Sequence, residues 1–414
     1  MQLRNLYYGW VIVFVGALVL ATNSIAIFGF GIFLKPLTAQ FGWDRGAIAG
    51  AMSSGLLIAG VLSFVSGRLS DQYGPRILVT VAGLSLGTGF LVMSQIGSLW
   101  QMYLIWGLFM GIGISCSVIP IISTIPRWFT GKMGIALAIP GIGFGLGSII
   151  SPLSIQWLIS TFGWRLSFII LGFIPFIITI PLAQFLKQDP RQIGLKPYGG
   201  SETIQESQSG DFAVWGFSLA EAIKTRRFWV FGLLHFSFGF CAQTVIVHIV
   251  PHIIDTGISA MIAASTLSIV AGSSVIGRLS TGLLSDWIGG RRILNGCLVL
   301  VTLAFVWILF ATEAWMFYAF ALVFGLAFGG VTLLLPVVSI ELFGVRFLGA
   351  IFGAVLFFGT AGSAVGAPLS GFVFDITGSY ILAFKINAAA GMLTIILSQI
   401  LLRYKSKETD QHRV

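Results

Sequence analysis

Charge is what this sequence has least of, and acid least of all. Only 9% of its 414 residues are charged, against roughly a quarter in an ordinary soluble domain. Asp and Glu number 14, and none lies well inside an apolar stretch. No paired carboxylates, no H-E-x-x-H and no Ser–His–Asp set can be assembled from what the apolar stretches hold, so an enzyme is not expected. The three cysteines, Cys116, Cys241 and Cys297, lack the spacing of a metal site and read as small hydrophobes. The glycine run from Gly141 to Gly147 has no Lys-Ser/Thr after it and no strand before it, which excludes a phosphate loop. Neither a cofactor nor a metal is expected.

What the chain does have is apolar length. It is 57% hydrophobic, with a mean hydropathy of +0.98. Long apolar stretches recur at 9–34, 46–66, 77–97, 100–125, 134–159, 166–186, 227–252, 260–283, 293–311, 315–340, 349–374 and 380–402. Each meets the roughly 20 residues that a spanning helix needs. Lipid offers no partners for backbone groups, so these stretches must be helices. The expected fold class is all-α and polytopic, with twelve transmembrane helices. The opening MQLRNLYYGW runs directly into a span too long for a signal core, so no cleavable signal is expected.

The formal charge of +9 does not call for a nucleic-acid partner, because its distribution reports orientation. Arg278 lies inside a span, and Lys35, Arg45, Arg165 and Lys385 fall on one side. The remaining eighteen of the 23 Lys and Arg sit at the termini or in loops after even-numbered spans. The positive-inside rule then places both termini in the cytoplasm. The expected location is a cell membrane, of the bacterial inner-membrane kind.

The longest polar stretch, 187–222, divides the chain into bundles of six spans, 1–186 and 223–414. Its Gly, Ser, Gln and Glu suit a flexible cytoplasmic linker. The halves match at a fixed shift of 215 residues: Pro36 with Pro251, Gly67 with Gly282, Ser70-Asp71 with Ser285-Asp286, Gly74 with Gly289, Arg76 with Arg291, and Gly163 with Gly378. So many identities at one shift indicate duplication, and parallel repeats around a mid-membrane site are a transporter architecture.

The loops GRLSDQYGPR (67–76) and GLLSDWIGGRR (282–292) resemble the signature loop of the major facilitator superfamily, and the resemblance covers the whole chain. The resemblance implies that Asp71, Arg76, Asp286 and Arg291 form a cytoplasmic gate. Within that superfamily, YYGWVIVFVGALVL, PRWFTGKMGIALAIPGIGFGLGS (126–148), VIVHIVPHIIDTG (245–257) and Arg278 resemble the monocarboxylate transporters and their bacterial relatives, including oxalate–formate exchangers. The family places its carboxylate-binding arginine where Arg278 stands. Two departures matter. The acid that mammalian members carry one turn before that arginine is Ser274 here, at i−4 and so on the same helix face. The span-11 lysine of oxalate exchangers has no counterpart in GAIFGAVLFFGTAGSAVGAPLSGFVF. One buried cation suits one carboxylate.

Arg278 is the centre of the expected site. An arginine at mid-membrane costs about 2.5–3.5 kcal/mol even on the gentlest scale, and with no internal acid to pair with it is suited to a carboxylate from outside. Its fork suits bidentate contact. Eight residues, or about 12 Å of helix, separate it from the loop Asp286, which disfavours snorkelling to the surface. His248 is the expected hydrogen-bonding and proton-coupling partner. It stands thirteen residues from His235, so the two should lie on nearly opposite faces with at most one turned to the cavity. His252 is expected in a loop. Ser117 completes the polar lining, and Phe28 and Phe357 are the expected apolar walls.

The expected function is secondary transport of a small monocarboxylate such as L-lactate or pyruvate, by proton symport with alternating access. Arg278 and His248 would carry the coupling. The rivals are a carboxylate exchanger and a non-transporting carboxylate sensor. The expected partners are the substrate, a proton and membrane lipid, and a monomer suffices because the site lies within one chain.

Overall fold

The structure is a computed structural model that describes residues 7–129, 133–198, 216–344 and 348–403. It is all-helical, and among the described residues the only strand-like pairings are two isolated bridges. Eleven of the described helices are long and apolar enough to cross a membrane. One, Met133–Ile174, contains Gly163 at φ 76°, ψ 166°. The helical stretch runs on to Ala183, and that break makes Ile135–Ala183 two spans, α5 before the glycine and α6 after it. The others are α1 (Tyr8–Phe41), α2 (Arg45–Tyr73), α3 (Pro75–Met93), α4 (Leu99–Trp128), α7 (Arg226–Asp255), α8 (Ala260–Ile288), α9 (Gly290–Ile308), α10 (Ala314–Phe343), α11 (Leu348–Thr377) and α12 (Ile381–Leu402). The chain is a multi-pass membrane protein of twelve spans.

Contacts divide it into two units. The first is Met1–Trp43 with Gly50–Asp211, and the second is Asp44–Ala49 with Phe212–Val414. The first turn of α2 thus belongs to the second unit. Within the first unit α1 packs along α5; within the second, α7 packs along α11 and α8 along α10.

The 215-residue shift governs the backbone itself. Of the eight left-handed glycines among the described residues, six form pairs at that spacing: Gly42 with Gly257, Gly74 with Gly289, and Gly163 with Gly378. Gly74 (φ 81°) and Gly289 (φ 93°) each donate a backbone bond four residues back, to Ser70 and Ser285, at 2.9 Å. Each then starts a helix, α3 or α9. A side chain at such φ would be strained, so glycine holds both turns.

The stretch 187–222 departs from the expected flexible linker at both ends. Its first part is tied to the first unit: Tyr198 N–H donates to Trp128 O at 2.9 Å, and Trp128 Nε1 donates to Lys187 O at 3.0 Å. Tyr7 Oη adds a bond to Lys196 O at 2.9 Å. Its last part is tied to the second unit, where Phe217 N–H donates to Phe343 O at 2.8 Å. Trp128 and Phe343 are themselves 215 residues apart. The aromatics at the ends of α4 and α10 supply the docking points, which composition could not reveal. Residues 199–215 lie outside the described set.

Candidate functional site

Arg278 projects from α8 where that helix touches α10 backbone to backbone. A Cβ at Gly277 would meet the carbonyl of Leu326, and one at Gly329 would meet the carbonyl of Ser274. This close approach brings Thr332, one turn beyond Gly329, beside the arginine. Arg278 Nε donates to Thr332 Oγ1 at a long 3.4 Å, and Thr332 donates onward to Gly329 O at 2.8 Å. The side chain is half-buried. Among the described residues no carboxylate pairs with it, and its two Nη nitrogens have no protein partner. The site therefore offers the free fork of a guanidinium, which suits a planar anion.

The residues expected around Arg278 are differently employed. Ser274 is buried and donates to Ala271 O of its own helix at 2.7 Å. Ser117 is fully buried in the first unit, where it accepts from Asn23 Nδ2 at 2.8 Å and donates to a carbonyl of its own helix, Gly113 at 2.9 Å. Asn23 Oδ1 has no partner among the described residues. Phe28 is buried edge-on against Phe144, with centroids 6.1 Å apart, whereas Phe357 is 62% exposed. The two expected walls do not share one environment.

His235 and His248 do not lie on opposite faces as seen by their neighbours. His235 Nδ1 bonds Val355 O at 2.8 Å and His248 Nε2 bonds Ala367 O at 2.7 Å, both on α11. The reason is the row along which α7 meets α11. Phe236 and Phe240 offer their backbone to Gly362 and Gly366, and Thr244 bonds Ser370. This is an i, i+4 row, which turns about 40° around the helix at each step, so the face toward α11 rotates along its length. His252 is not a loop residue. It lies in α7, buried among the rings of Phe317, Tyr380 and Phe384.

His248 belongs to a charged cluster that sequence reading missed. Arg45, at the start of α2, donates through Nη1 and Nη2 to the two carboxylate oxygens of Asp255, the latter at 3.2 Å, and through Nη1 to Tyr380 Oη at 3.1 Å. Tyr380 Oη in turn lies 3.0 Å from His248 Nδ1. The guanidinium stacks 3.8 Å over the Phe374 ring. Asp375, near the end of α11, accepts the N–H groups of Arg45 and Gly46 at 2.9 and 2.8 Å, satisfying the first turn of α2. Burial pushes the Tyr380 hydroxyl above the ordinary phenol range, so it remains a donor. The available signal was topological: Arg45, Asp255 and Asp375 all stand at the ends of spans opening on the same side.

At the other end, the two signature loops carry the same arginine with different partners. Arg76 Nε donates to Gln184 Oε1 at 2.7 Å, and Arg291 Nε donates to Glu341 Oε2 at 2.8 Å. Glu341 also accepts Gly290 N–H at 3.0 Å. The gate assignments to Asp71 and Asp286 fall on side chains outside the described set.

Comparison with known proteins agrees in kind. The family model of the Major Facilitator Superfamily matches residues 16–312 and 281–413. Monocarboxylate transporter 13 of Bos taurus is 27% identical over 394 residues, covering 92% of this chain and 86% of that protein. The uncharacterized MFS-type transporter YcxA of Bacillus subtilis (strain 168) is 27% identical over 397 residues, covering 92% of each. Among solved structures, the nucleoside transporter NupG superposes with a TM-score of 0.74 at 14% identity, covering 97% of this chain and 100% of that one.

Proposed function

Because the chain belongs to the Major Facilitator Superfamily, whose members are transporters and not enzymes, we propose that it carries small monocarboxylates such as L-lactate or pyruvate by alternating access. The observation that carries this reading is the half-buried Arg278, both of whose Nη nitrogens are free of protein partners among the described residues. Relatives that carry the name monocarboxylate transporter support the substrate class. In this reading the guanidinium grips the carboxylate, and Asp71, Arg76, Asp286 and Arg291 serve as the cytoplasmic gate. The basic loops face the cytoplasm of a cell membrane, and the monomer is the working unit. Moving the anion with a proton removes the electrical cost of a net charge, about 2.3 kcal/mol per 100 mV. His248 is the proton's station. Ser274, one turn before Arg278 on the same helix face, supplies polar lining.

Exchange of one carboxylate for another is the second reading, favoured by one observation: Ser274 stands where a proton-coupling acid would be, and its hydroxyl is taken by its own helix. Uptake of labelled L-lactate into proteoliposomes under an inward proton gradient, wild type beside Arg278→Ala, separates the readings. Accumulation that follows the gradient and disappears in the variant supports symport. Counterflow that ignores the gradient favours exchange, and absence of both sinks the monocarboxylate assignment.

A further inference from the structure

Hydrogen bonding in the Arg45 cluster has only one consistent direction. A guanidinium has no acceptor, so Tyr380 Oη must accept from Arg45 Nη1 at 3.1 Å. The carbonyl of Ala367 has no proton to give, so His248 Nε2, at 2.7 Å, must be the donor there. A neutral imidazole then has Nδ1 as acceptor, and the one proton of Tyr380 goes to it across 3.0 Å. The chain runs Asp255, Arg45, Tyr380, His248, Ala367, with every proton assigned. His248 is fully buried.

A second proton on His248 breaks this order. Nδ1–H would have to donate to Tyr380 Oη, leaving the phenolic proton of Tyr380 to seek another acceptor while Arg45 still points at the same oxygen. It would also set two cations on either side of one hydroxyl. The other charged or titratable groups around the histidine are few. α7 itself contributes His252 and Asp255, α2 contributes Arg45, and α11 contributes Asp375, which is committed to the backbone of Arg45 and Gly46. From α10 and α12 the nearby groups are the apolar rings of Phe317 and Phe384 against His252. The ionisable residues of α8, Arg278 and Asp286, lie in its later half.

We infer that Arg45 and Tyr380 are positioning residues that hold His248 neutral with the proton on Nε2, so that protonation of His248 and seating of Arg45 on Tyr380 exclude each other. Proton entry then removes the Arg45–Tyr380 contact while Asp255 and Asp375 keep theirs, and reseating Arg45 on Tyr380 expels the proton. The inference deepens the proposed symport and rests on it for its role in transport, but the tautomer itself does not. By linkage, whatever the proton does to Arg45, removal of Arg45 does in reverse to the proton.

The test is nitrogen NMR of ¹⁵N-histidine-labelled full-length protein in phospholipid nanodiscs, with no substrate present, the His248 signals being assigned by their loss in His248→Gln. Wild type is expected to show a neutral imidazole protonated at Nε2 at neutral pH, and to take its second proton only on acidification. In Arg45→Met and in Tyr380→Phe the same ring should titrate at a pH higher by about one unit, a tenfold gain in proton affinity. Arg45→Lys, which can still donate to Tyr380, should keep the wild-type behaviour. A proton on Nδ1 in wild type overturns the inference. So does a titration that Arg45→Met and Tyr380→Phe leave unmoved. If the NMR result holds while proteoliposomes move no monocarboxylate, the proposed function fails and the tautomer assignment stands.

Discussion

Gly147 and Gly362, 215 residues apart, make the same contact in the two units. A Cβ on Gly147 would strike the carbonyl of Ala21, and one on Gly362 would strike the carbonyl of Phe236. Ala21 and Phe236 are again 215 apart. The α1–α5 and α7–α11 pairs are therefore two copies of one close packing, in which a glycine lies against the backbone of the facing helix.

Gly362→Ala should be the more damaging of two like changes on α11. It overpacks a contact whose neighbour is rigid backbone, at a cost of about 1–3 kcal/mol or more. At Gly353 no atom lies within reach of an added Cβ, so Gly353→Ala should be neutral or slightly stabilising. Apparent melting temperatures of the purified variants in detergent check this. Equal melting points for the two would remove the close-packing argument.

Arg278→Lys keeps the charge and loses the planar fork. If the carboxylate is gripped by two parallel N–H donors, about 1.5–3 kcal/mol of charge-assisted bonding is at stake. That corresponds to roughly ten- to hundredfold weaker apparent affinity. Counterflow at graded substrate concentration should show a raised KM with residual flux in Lys and none in Ala. A lysine variant with unchanged KM would mean that point charge alone suffices.

The signature-loop arginines predict an asymmetry between halves. Glu341 accepts from both Gly290 N–H and Arg291 Nε, whereas Arg76 meets a neutral, exposed glutamine. Glu341→Ala should cost about 1–3 kcal/mol, and Gln184→Ala a few tenths. Double-mutant cycles with Arg291→Ala and Arg76→Ala, read by thermal unfolding, should give strong coupling in the first pair only. Coupling of equal size in both would contradict the difference in partners.

Tyr380 gives a pH dependence with a definite sign. Burial raises its pKa in the folded chain, above the value of about 10 for an exposed phenol. The stability this contributes is complete below pH ~10 and is lost as pH climbs from there through the folded value. Tyr380→Phe should therefore flatten part of the alkaline fall in apparent melting temperature. An alkaline limb identical to wild type would show that other groups account for all of it.

Much of the architecture was legible because lipid permits so few solutions. Apolar length gave the spans, and the recurrence of Gly74 at Gly289 and Gly163 at Gly378 gave the repeat. Arg278 announced itself as a cation with no internal acid. What stayed hidden depends on who faces whom. Arg45 counted only as a charge on one side until Asp255 and Tyr380 were seen around it. The two histidines of α7 were assigned opposite faces by ideal helical geometry, but an i, i+4 contact row drifts around the helix. The polar stretch 187–222 read as slack because composition says nothing of the carbonyls of Trp128 and Phe343 that hold its ends.

Those two carbonyls make each half its own hem. The bond from Tyr198 N–H to Trp128 O closes the first half with atoms that all precede the second in synthesis, and Phe217 N–H to Phe343 O closes the second without help from the first. A ribosome delivering this chain can thus finish one six-helix body, edge sewn, before the other has begun to emerge. Both of those bonds lie outside the stretch between Tyr198 and Gly216.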